Sequence, residues 1–191
     1  MIIGITGGTG CGKTTLLNHI RSAGGLILDC DAIYHELLHS DKDMLAAIDS
    51  RFPETVENGI LNRKKLGSIV FADENALLDL NAITHSAVRQ EVLRRLKSKP
   101  SLAAIDAIGL FEGGLAPLCD ITVAVTAPEE QRVRRLMERD GISEEYARSR
   151  IAAQKDDQWY CSRCDKILEN NGDLQSYRGK CLAFLQEQGI M

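Results

Sequence analysis

The stretch "GITGGTGCGKTT", residues 4–15, places five glycines and one lysine in twelve positions. Its residues Gly7, Gly12, Lys13 and Thr14 match the spacing G-x-x-x-x-G-K-[ST] in every fixed position. The apolar run "MIIGIT" (1–6) precedes the glycines, and "KTTLLNHIRSAG" (13–24) follows with helical apolar spacing. This order of strand, glycine-rich loop and helix predicts a phosphate-binding loop.

The residue types of this loop suit a triphosphate. Glycines allow successive backbone N–H groups to point inward, and the following helix offers unpaired N–H groups and a positive dipole end. Lys13 can reach the β- and γ-phosphates, and the Thr14 hydroxyl can bind Mg²⁺. The alternative is a glycine-rich turn with a chance lysine. The predicted ATP-binding residues are Gly8, Thr9, Gly10, Cys11, Gly12, Lys13, Thr14 and Thr15.

The rest of the chain alternates between strand and helix patterns. Strands are predicted at 26–31, 102–108, 121–127 and 166–171, and helices at 32–40, 128–141, 143–154 and 173–188. Residues 43–99 contain helical patterns and no convincing strand, which indicates a helical insertion ended by Pro100. Alternating strands and helices predict an α/β fold with a parallel sheet covered on both faces.

The composition excludes several classes of protein. The formal net charge is −4, so the chain lacks the basic field that nucleic-acid-binding proteins usually carry. Its apolar runs fall short of the roughly 18–20 residues that a membrane-spanning helix needs. The start, "MIIGITGG", has no basic segment or cleavage site of a secretory signal, so we expect a cytoplasmic protein without nucleic-acid or membrane partners.

The chain has six cysteines, of which Cys161 and Cys164 form a CxxC pair in "WYCSRCDK". No second CxxC and no nearby pair of histidines completes a four-ligand zinc site. We interpret the pair as incidental thiols and keep a zinc half-site and a redox pair as alternatives. A disulfide framework is not expected in a cytosolic protein.

Three features favour a small kinase among phosphate-loop proteins. No N/T-K-x-D guanine motif of a regulatory GTPase occurs, and the 43–99 block can serve as the acceptor region. Arg132, Arg135 and Arg139 share one face of a predicted helix, and Arg148 and Arg150 follow. As a group these arginines suggest phosphate clamps in a mobile lid. The alternative is a solvated stripe paired with nearby glutamates.

Several acids follow predicted strands. Asp29 and Asp31 end the second strand, and ligands of open α/β sheets bind outside the carboxyl ends of strands. Asp31 can therefore accept the proton of an acceptor hydroxyl, or it can cap the helix that follows. Asp106 and Glu112 follow the next strand, where a magnesium-organising acid often lies, although a structural role suits them nearly as well.

With these residues assembled, the sequence resembles the dephospho-CoA kinases nearly end to end. The resemblance rests on blocks in the family's order: "GITGGTGCGKTT", "DCDAIYHEL", "LNRKKLGSIVFADENALLDLNAITHSAVR", "LFEGGL", "EEQRVRRLMERDGISEEYARSRIAAQ" and "NNG". The middle and lid blocks are more specific than the phosphate loop, because no general kinase chemistry requires their residues.

The resemblance implies a single P-loop kinase domain over 1–191. It has a three-layer fold with a five-stranded parallel sheet, a helical CoA-binding insertion over 43–99 and a helical lid over about 139–158. The implied reaction is transfer of the ATP γ-phosphate to the ribose 3′-hydroxyl of dephospho-CoA, with Mg²⁺, in the last step of CoA synthesis. By position, Asp31 matches the family's proposed base, Arg139 a lid arginine, Asn171 the adenine-side loop, and His85 and Arg89 the acceptor region.

Two other functions are kept as alternatives. Another small nucleoside or nucleotide kinase would differ in the acceptor that supports ADP release. A regulatory module that binds ATP without turnover would respond to zinc or reductant through the CxxC pair. The acceptor-region match disfavours the second alternative.

Overall fold

The structure is a computed structural model, and it describes residues 1–190. Within this range the strands are Ile2–Thr6 (β1), Leu26–Asp29 (β2), Val56–Glu57 (β3), Ile60–Leu61 (β4), Ala103–Asp106 (β5), Ile121–Thr126 (β6) and Lys166–Glu169 (β7). The helices are Lys13–Ser22 (α1), Cys30–Ser40 (α2), Lys42–Arg51 (α3), Arg63–Val70 (α4), Glu74–Leu96 (α5), Glu129–Asp140 (α6), Glu144–Ala152 (α7), Asp157–Cys161 (α8) and Leu174–Glu187 (α9), with a 3₁₀ turn at Ala116–Leu118.

Five strands form one sheet in the order β2-β5-β1-β6-β7. β1 pairs in parallel with β5 and with β6, and β6 pairs in parallel with β7. The predicted five-stranded parallel sheet and α/β fold class are confirmed. β1 lies at the centre of the sheet, so the loop that follows it leaves from the middle of the sheet's carboxyl edge.

Contacts divide the chain into two compact units. The sheet unit comprises 1–28, 100–110 and the residues from Leu115 onward, and the helical unit comprises Asp29–Lys99 and Phe111–Gly114. The helical unit is longer than the insertion predicted over 43–99, since it begins at Asp29. Among the described residues, no helix combines the length and apolar character that crossing a membrane requires.

The core of the sheet unit forms where α1 and α9 cover one face of the sheet. Ile3 and Ile5 alternate along β1 and point to the same side, together with Val123 and Val125 of β6. They pack with Leu16 and Ile20 of α1 and with Tyr177, Phe184 and Leu185 of α9, all nearly inaccessible to solvent. A second small cluster joins α6 to α7 through Val133, Leu136, Ala147 and Ile151.

The prediction of no strand between residues 43 and 99 is wrong. β3 and β4 form a two-stranded antiparallel hairpin within the helical unit, with Val56 opposite Leu61. The turn residues Asn58 and Gly59 have φ angles of 53° and 77°, the left-handed pair typical of a two-residue hairpin turn. Asn-Gly is a strong hairpin signal, but the strands are too short to show an alternating pattern.

Candidate active site

The glycine-rich loop connects β1 to α1, and two of its glycines have conformations that side chains would prevent. Gly7 has a φ of 131°, and a Cβ atom there would lie 2.1 Å from the Val125 carbonyl oxygen. Gly12 is the residue before α1, in the left-handed region with a φ of 106°. These positions therefore require glycine, as the sequence pattern implied.

The start of α1 is open to an anion. Gly12 provides no side-chain cap, and the first turn of the helix carries no acidic residue. The Thr15 N–H donates to the Gly12 carbonyl oxygen at 3.1 Å, and the positive dipole end of the helix carries no opposing charge. Lys13 lies at the same point, and its Nζ donates to the Gly7 carbonyl oxygen at 2.8 Å. The Thr14 side chain is exposed. Lysine, hydroxyl and helix terminus thus lie together as the sequence predicted.

Side chains from outside the loop hold its carbonyl groups. Arg135 Nη1 of α6 donates to the carbonyl oxygens of Gly10, at 3.1 Å, and Cys11, at 3.3 Å. The buried side chain of Asn170, directly after β7, also donates through Nδ2 to the Cys11 carbonyl at 2.8 Å. A peptide whose carbonyl is held outward directs its neighbouring N–H groups inward, which is the arrangement that cradles a phosphate.

The peptide groups of Thr9 are held by two further elements. Arg132 Nε donates to the Thr9 carbonyl oxygen at 2.9 Å, and Gln154 Oε1 accepts from the Thr9 N–H at 2.8 Å. Arg132 Nη1 also lies 3.5 Å from Asp157 Oδ1. Gln154 follows α7 and Asp157 is the first residue of α8, and both lie within the region predicted as the lid.

Beside these residues the sheet unit contains a cavity of about 580 Å³. Its walls come from the end of β6, the start of α6, the segment between α7 and α8, and the turn after β7. Its lining includes Pro128, Arg132, Gln154, Asp157, Glu169 and Asn171. Asn171 was predicted from the resemblance, whereas Asn170 and Gln154 were missed. Only the strand-end position of "NNG" could have drawn attention to Asn170.

The five arginines that were predicted as a group of phosphate clamps have different surroundings in the structure. Arg132 and Arg135 contact loop carbonyls. Arg139 and Arg150 both pair with Asp140, at 2.6 Å each, on the surface. Arg148 pairs with Glu129, Glu130 and Glu144. The surface pairs of Arg139, Arg148 and Arg150 match the alternative of a solvated stripe. A phosphate role for Arg139 stays a prediction.

The two acids after β2 have distinct positions in the helical unit. α2 begins at Cys30, and Asp29 Oδ1 accepts the Ala32 N–H at 3.0 Å, so Asp29 is the helix cap. The alternative that Asp31 caps this helix is wrong, because the helix begins two residues earlier than that assignment requires. Asp31 lies in the first turn with an exposed side chain.

His85 and Arg89 lie one turn apart on α5, as their spacing implied. Arg89 Nε donates to the Gly114 carbonyl oxygen at 3.1 Å, which ties α5 to the segment Phe111–Gly114. His85 is half-buried. Arg89 therefore has a structural contact in the helical unit, and its contact with a substrate stays a prediction, as does that of His85.

The helical unit also brings together two residues that sequence reasoning missed. Arg63 Nη2 and His35 Nδ1 lie 3.2 Å apart. His35 follows Asp31 by four residues on α2 and shares its face. Burial raises the pKa of the adjacent Tyr34 hydroxyl, and the Arg63 charge opposes that rise. Arg63 lies in a resemblance block, but nothing in its local pattern indicated the contact.

Asp106 and Glu112 lie in different units. Asp106 is the last residue of β5 and is half-buried, whereas Glu112 is exposed in the segment Phe111–Gly114. A magnesium-organising role for either acid stays a prediction.

The thiols of Cys11 and of the CxxC pair have raised pKa values. Burial raises the pKa of Cys11, with Lys13 opposing the rise, and burial also raises the pKa of Cys161. Burial raises the pKa of Cys164 to about 11. All three therefore remain neutral thiols at pH 7. In the range that the structure describes, no three or more His, Cys, Asp or Glu side chains are grouped to hold a metal.

A central parallel strand, a G-x-x-x-x-G-K-[ST] loop with outward carbonyls and an open helix start define a P-loop nucleoside-triphosphate-binding protein. Residues 1–176 match the family model of the dephospho-CoA kinases. The chain belongs to the dephospho-CoA kinase family, and the predicted enzyme class, a kinase, is confirmed. A kinase of this family implies ATP as the co-substrate.

Relatives of similar length support this assignment. A dephospho-CoA kinase of Syntrophotalea carbinolica is 35% identical over 97% of this chain and 90% of its own length. One from Geobacillus kaustophilus is 35% identical, with 98% and 96% covered. Among solved structures, TT1252 from Thermus thermophilus is 34% identical with a TM-score of 0.83, covering 98% of this chain and 97% of its own.

Proposed function

We propose that the chain transfers the γ-phosphate of ATP to the ribose 3′-hydroxyl of dephospho-CoA, giving coenzyme A and ADP. The observation that carries the proposal is the phosphate loop, with its carbonyls held outward, in a chain that matches the dephospho-CoA kinase model over residues 1–176. A dephospho-CoA kinase from Campylobacter jejuni, 27% identical with a TM-score of 0.69 over 100% of this chain and 98% of its own, supports it further.

ATP occupies the sheet unit in this proposal. The phosphates lie in the loop Gly8–Thr15, where inward N–H groups and Lys13 stabilise the charge that develops on the transferred group. The adenosine portion occupies the cavity of about 580 Å³ that Asn171 and Pro128 line. Its walls include both apolar surface and polar side chains, as nucleotide sites commonly do.

Magnesium is part of the proposal because the Thr14 hydroxyl is an oxygen ligand of the kind that binds this ion. The Thr14 side chain is exposed beside Lys13 and makes no hydrogen bond to another described residue, so its hydroxyl can bind the ion together with phosphate oxygens. When bound, the ion neutralises charge on the phosphates.

The helical unit provides the acceptor side. Asp31 accepts the proton of the attacking hydroxyl. This role is supported by the exposure of its side chain and by the fact that Asp29, rather than Asp31, caps the helix. His85 and Arg89 bind the acceptor. Arg139 of the lid approaches the phosphates only if its pair with Asp140 opens. A cytoplasmic location stays a prediction.

A coupled ADP-release assay tests the proposal. It compares dephospho-CoA with AMP, CMP, adenosine and pantothenate as acceptors, each with MgATP. We expect ADP release above background with dephospho-CoA alone among the five. Faster release with AMP or CMP would indicate another nucleotide kinase, and ATP binding without release from any acceptor would indicate a regulatory module.

A further inference from the structure

Arg132 is a cation buried beneath the phosphate loop. The residue is 5% exposed, and it is the one charged residue among the buried residues of the described range. Its Nε donates to the Thr9 carbonyl, and its Nη1 lies 3.5 Å from Asp157. Its Nη2 is buried and has no hydrogen-bond partner among the described residues.

This arrangement is unfavourable for the stability of the fold alone. A buried N–H group without an acceptor costs about 1–3 kcal/mol, and a buried charge needs a close counterion. Asp157 pairs with Arg132 at 3.5 Å, a longer distance than the 2.6 Å of the surface pairs that Arg139 and Arg150 form with Asp140. Burial raises the pKa of Asp157, and the Arg132 charge opposes that rise without cancelling it. The guanidinium therefore retains positive charge that the protein compensates only in part.

The loop is shaped around this guanidinium. A Cβ atom at Gly8 would lie 2.1 Å from Arg132 Nη2, and one at Gly10 would lie 2.9 Å from the Arg132 carbonyl oxygen. Glycine at both positions lets the loop pack directly on the arginine. Since Gln154 holds the N–H of Thr9 and Arg132 holds its carbonyl, both peptide groups of Thr9 are fixed from outside the loop.

We propose that Arg132 is a positioning residue for ATP, acting through the Thr9 peptide and supplying a fixed positive charge behind the phosphates. Its Nη2 is buried against Gly8, so this part of the guanidinium acts through the loop, while Arg132 also contributes to the lining of the cavity. The bound triphosphate provides the negative charge that Asp157 supplies only in part. This inference rests on the proposed function as an ATP-dependent kinase, and it adds a residue behind the loop to those within it.

If Arg132 positions the loop for ATP, its replacement should lower ATP affinity without an equal loss of the stability of the fold. Replacing Arg132 removes a buried N–H group that has no acceptor, but it also removes the donor to the Thr9 carbonyl and the partner of Asp157, so its effects on stability oppose each other. Arg132→Gln should therefore change the melting temperature little, while weakening ATP binding about tenfold or more. Arg132→Lys keeps the charge and one donor, so its affinity should lie closer to the wild type than that of Arg132→Gln.

The experiment measures binding of AMP-PNP with MgCl₂ by calorimetry, melting temperature, and the KM values of ATP and dephospho-CoA. Arg134→Gln is the matched control, because Arg134 is exposed on the same helix and the variant loses the same charge. We expect Arg132→Gln to raise the AMP-PNP Kd and the KM for ATP, without changing the KM for dephospho-CoA, and Arg134→Gln to change neither.

Two results would overturn the inference. One is unchanged AMP-PNP binding in Arg132→Gln. The other is a fall in melting temperature that Arg132→Lys does not reverse, together with equal weakening of both substrates, since that pattern marks a purely structural side chain. Nucleotide binding and melting need no acceptor, so they decide the role of Arg132 even if dephospho-CoA fails as a substrate.

Discussion

The phosphate loop of the sheet unit and the acceptor residues of the helical unit are held in opposite ways. Arg132, Arg135 and Asn170 donate to loop carbonyls, so the loop is fixed by contacts within the protein. Asp31 and His85, by contrast, make no hydrogen bond or ion pair to another side chain among the described residues. One region is organised before any ligand binds. The other keeps the side chains of Asp31 and His85 available for a ligand, although Arg89 has a contact within the protein.

This difference separates two kinds of mutational effect. Changes in the contacts behind the loop should alter ATP binding, because they disturb a geometry that the protein itself maintains. Changes at an uncommitted acceptor residue should alter turnover with little effect on stability, because no contact within the protein is lost.

Asp31→Asn should give the largest effect on turnover. If Asp31 is the general base, kcat should fall by roughly 10²–10⁴-fold with an unchanged melting temperature, because its side chain is exposed and caps no helix. Asp43→Asn is the matched control, since Asp43 is likewise an acid in the first turn of a helix, α3. Equal kcat values for Asp31→Asn and the wild type would remove Asp31 from the reaction.

Lys13→Ala should lower kcat by about 10²–10³-fold, as loss of one charge-stabilising donor commonly does. Its only described partner is the Gly7 carbonyl at 2.8 Å, so the melting temperature should change little. Lys42→Ala, an exposed lysine at the start of α3, is the control. A Lys13→Ala enzyme with near-normal kcat at saturating MgATP would contradict the phosphate assignment.

Asn170→Ala tests whether the loop is held from outside. The variant removes the 2.8 Å donor to the Cys11 carbonyl and leaves that buried oxygen with less compensation, at a cost of about 1–3 kcal/mol. Both the melting temperature and the ATP affinity should fall, whereas the KM for dephospho-CoA should not change. Asn75→Ala, an exposed position on α5, is the control. Loss of stability with intact ATP affinity would show that Asn170 does not organise the loop.

Glu91 provides a pH test confined to the helical unit. Hydrogen bonds from Arg94 and Arg95 lower the pKa of Glu91 to about 2, below the value of about 4.3 in an unfolded chain. The stabilisation is therefore complete above pH 4.3 and is lost as the pH falls toward about 2. Glu91→Gln should melt a few degrees lower than the wild type at pH 7, and the difference should shrink in acid. A difference that is independent of pH would contradict the ion pair.

The double variant Cys161→Ser with Cys164→Ser should have the smallest effect. Because burial raises the pKa of both thiols, neither is a thiolate at pH 7, and neither touches the loop. Activity should match the wild type with and without added zinc or reductant. Loss of activity together with loss of bound zinc would support the metal half-site that the spacing left open.

The sequence predicted the features that depend on local pattern. The strand, glycine loop and helix over residues 1–24 follow from apolar spacing and from backbone conformations that only glycine adopts easily. The hairpin at Asn58-Gly59 was missed because strands of two residues have no period to detect. The sequence left open whether Asp31 caps the helix after the second strand. In the structure this helix begins two residues earlier than such a cap requires, and Asp29 caps it.

The contacts behind the loop could not be predicted in the same way. Arg132 and Arg139 share one face in the sequence pattern, yet Arg132 is buried against Thr9 and Arg139 pairs with its neighbour Asp140 on the surface. Which arginine is buried depends on how α6 packs against the loop, and helical periodicity does not contain that information. Gln154 and Asn170 reach the loop from 145 and 159 residues away in sequence.

The most direct test of the account is to identify the phosphorylated product. MgATP and dephospho-CoA are incubated with the enzyme, and the product is examined by ³¹P NMR and mass spectrometry. The account predicts a new phosphomonoester on the ribose 3′-carbon, formed in the same amount as ADP. ADP formed without phosphate on dephospho-CoA, or phosphate on a different hydroxyl, would contradict it.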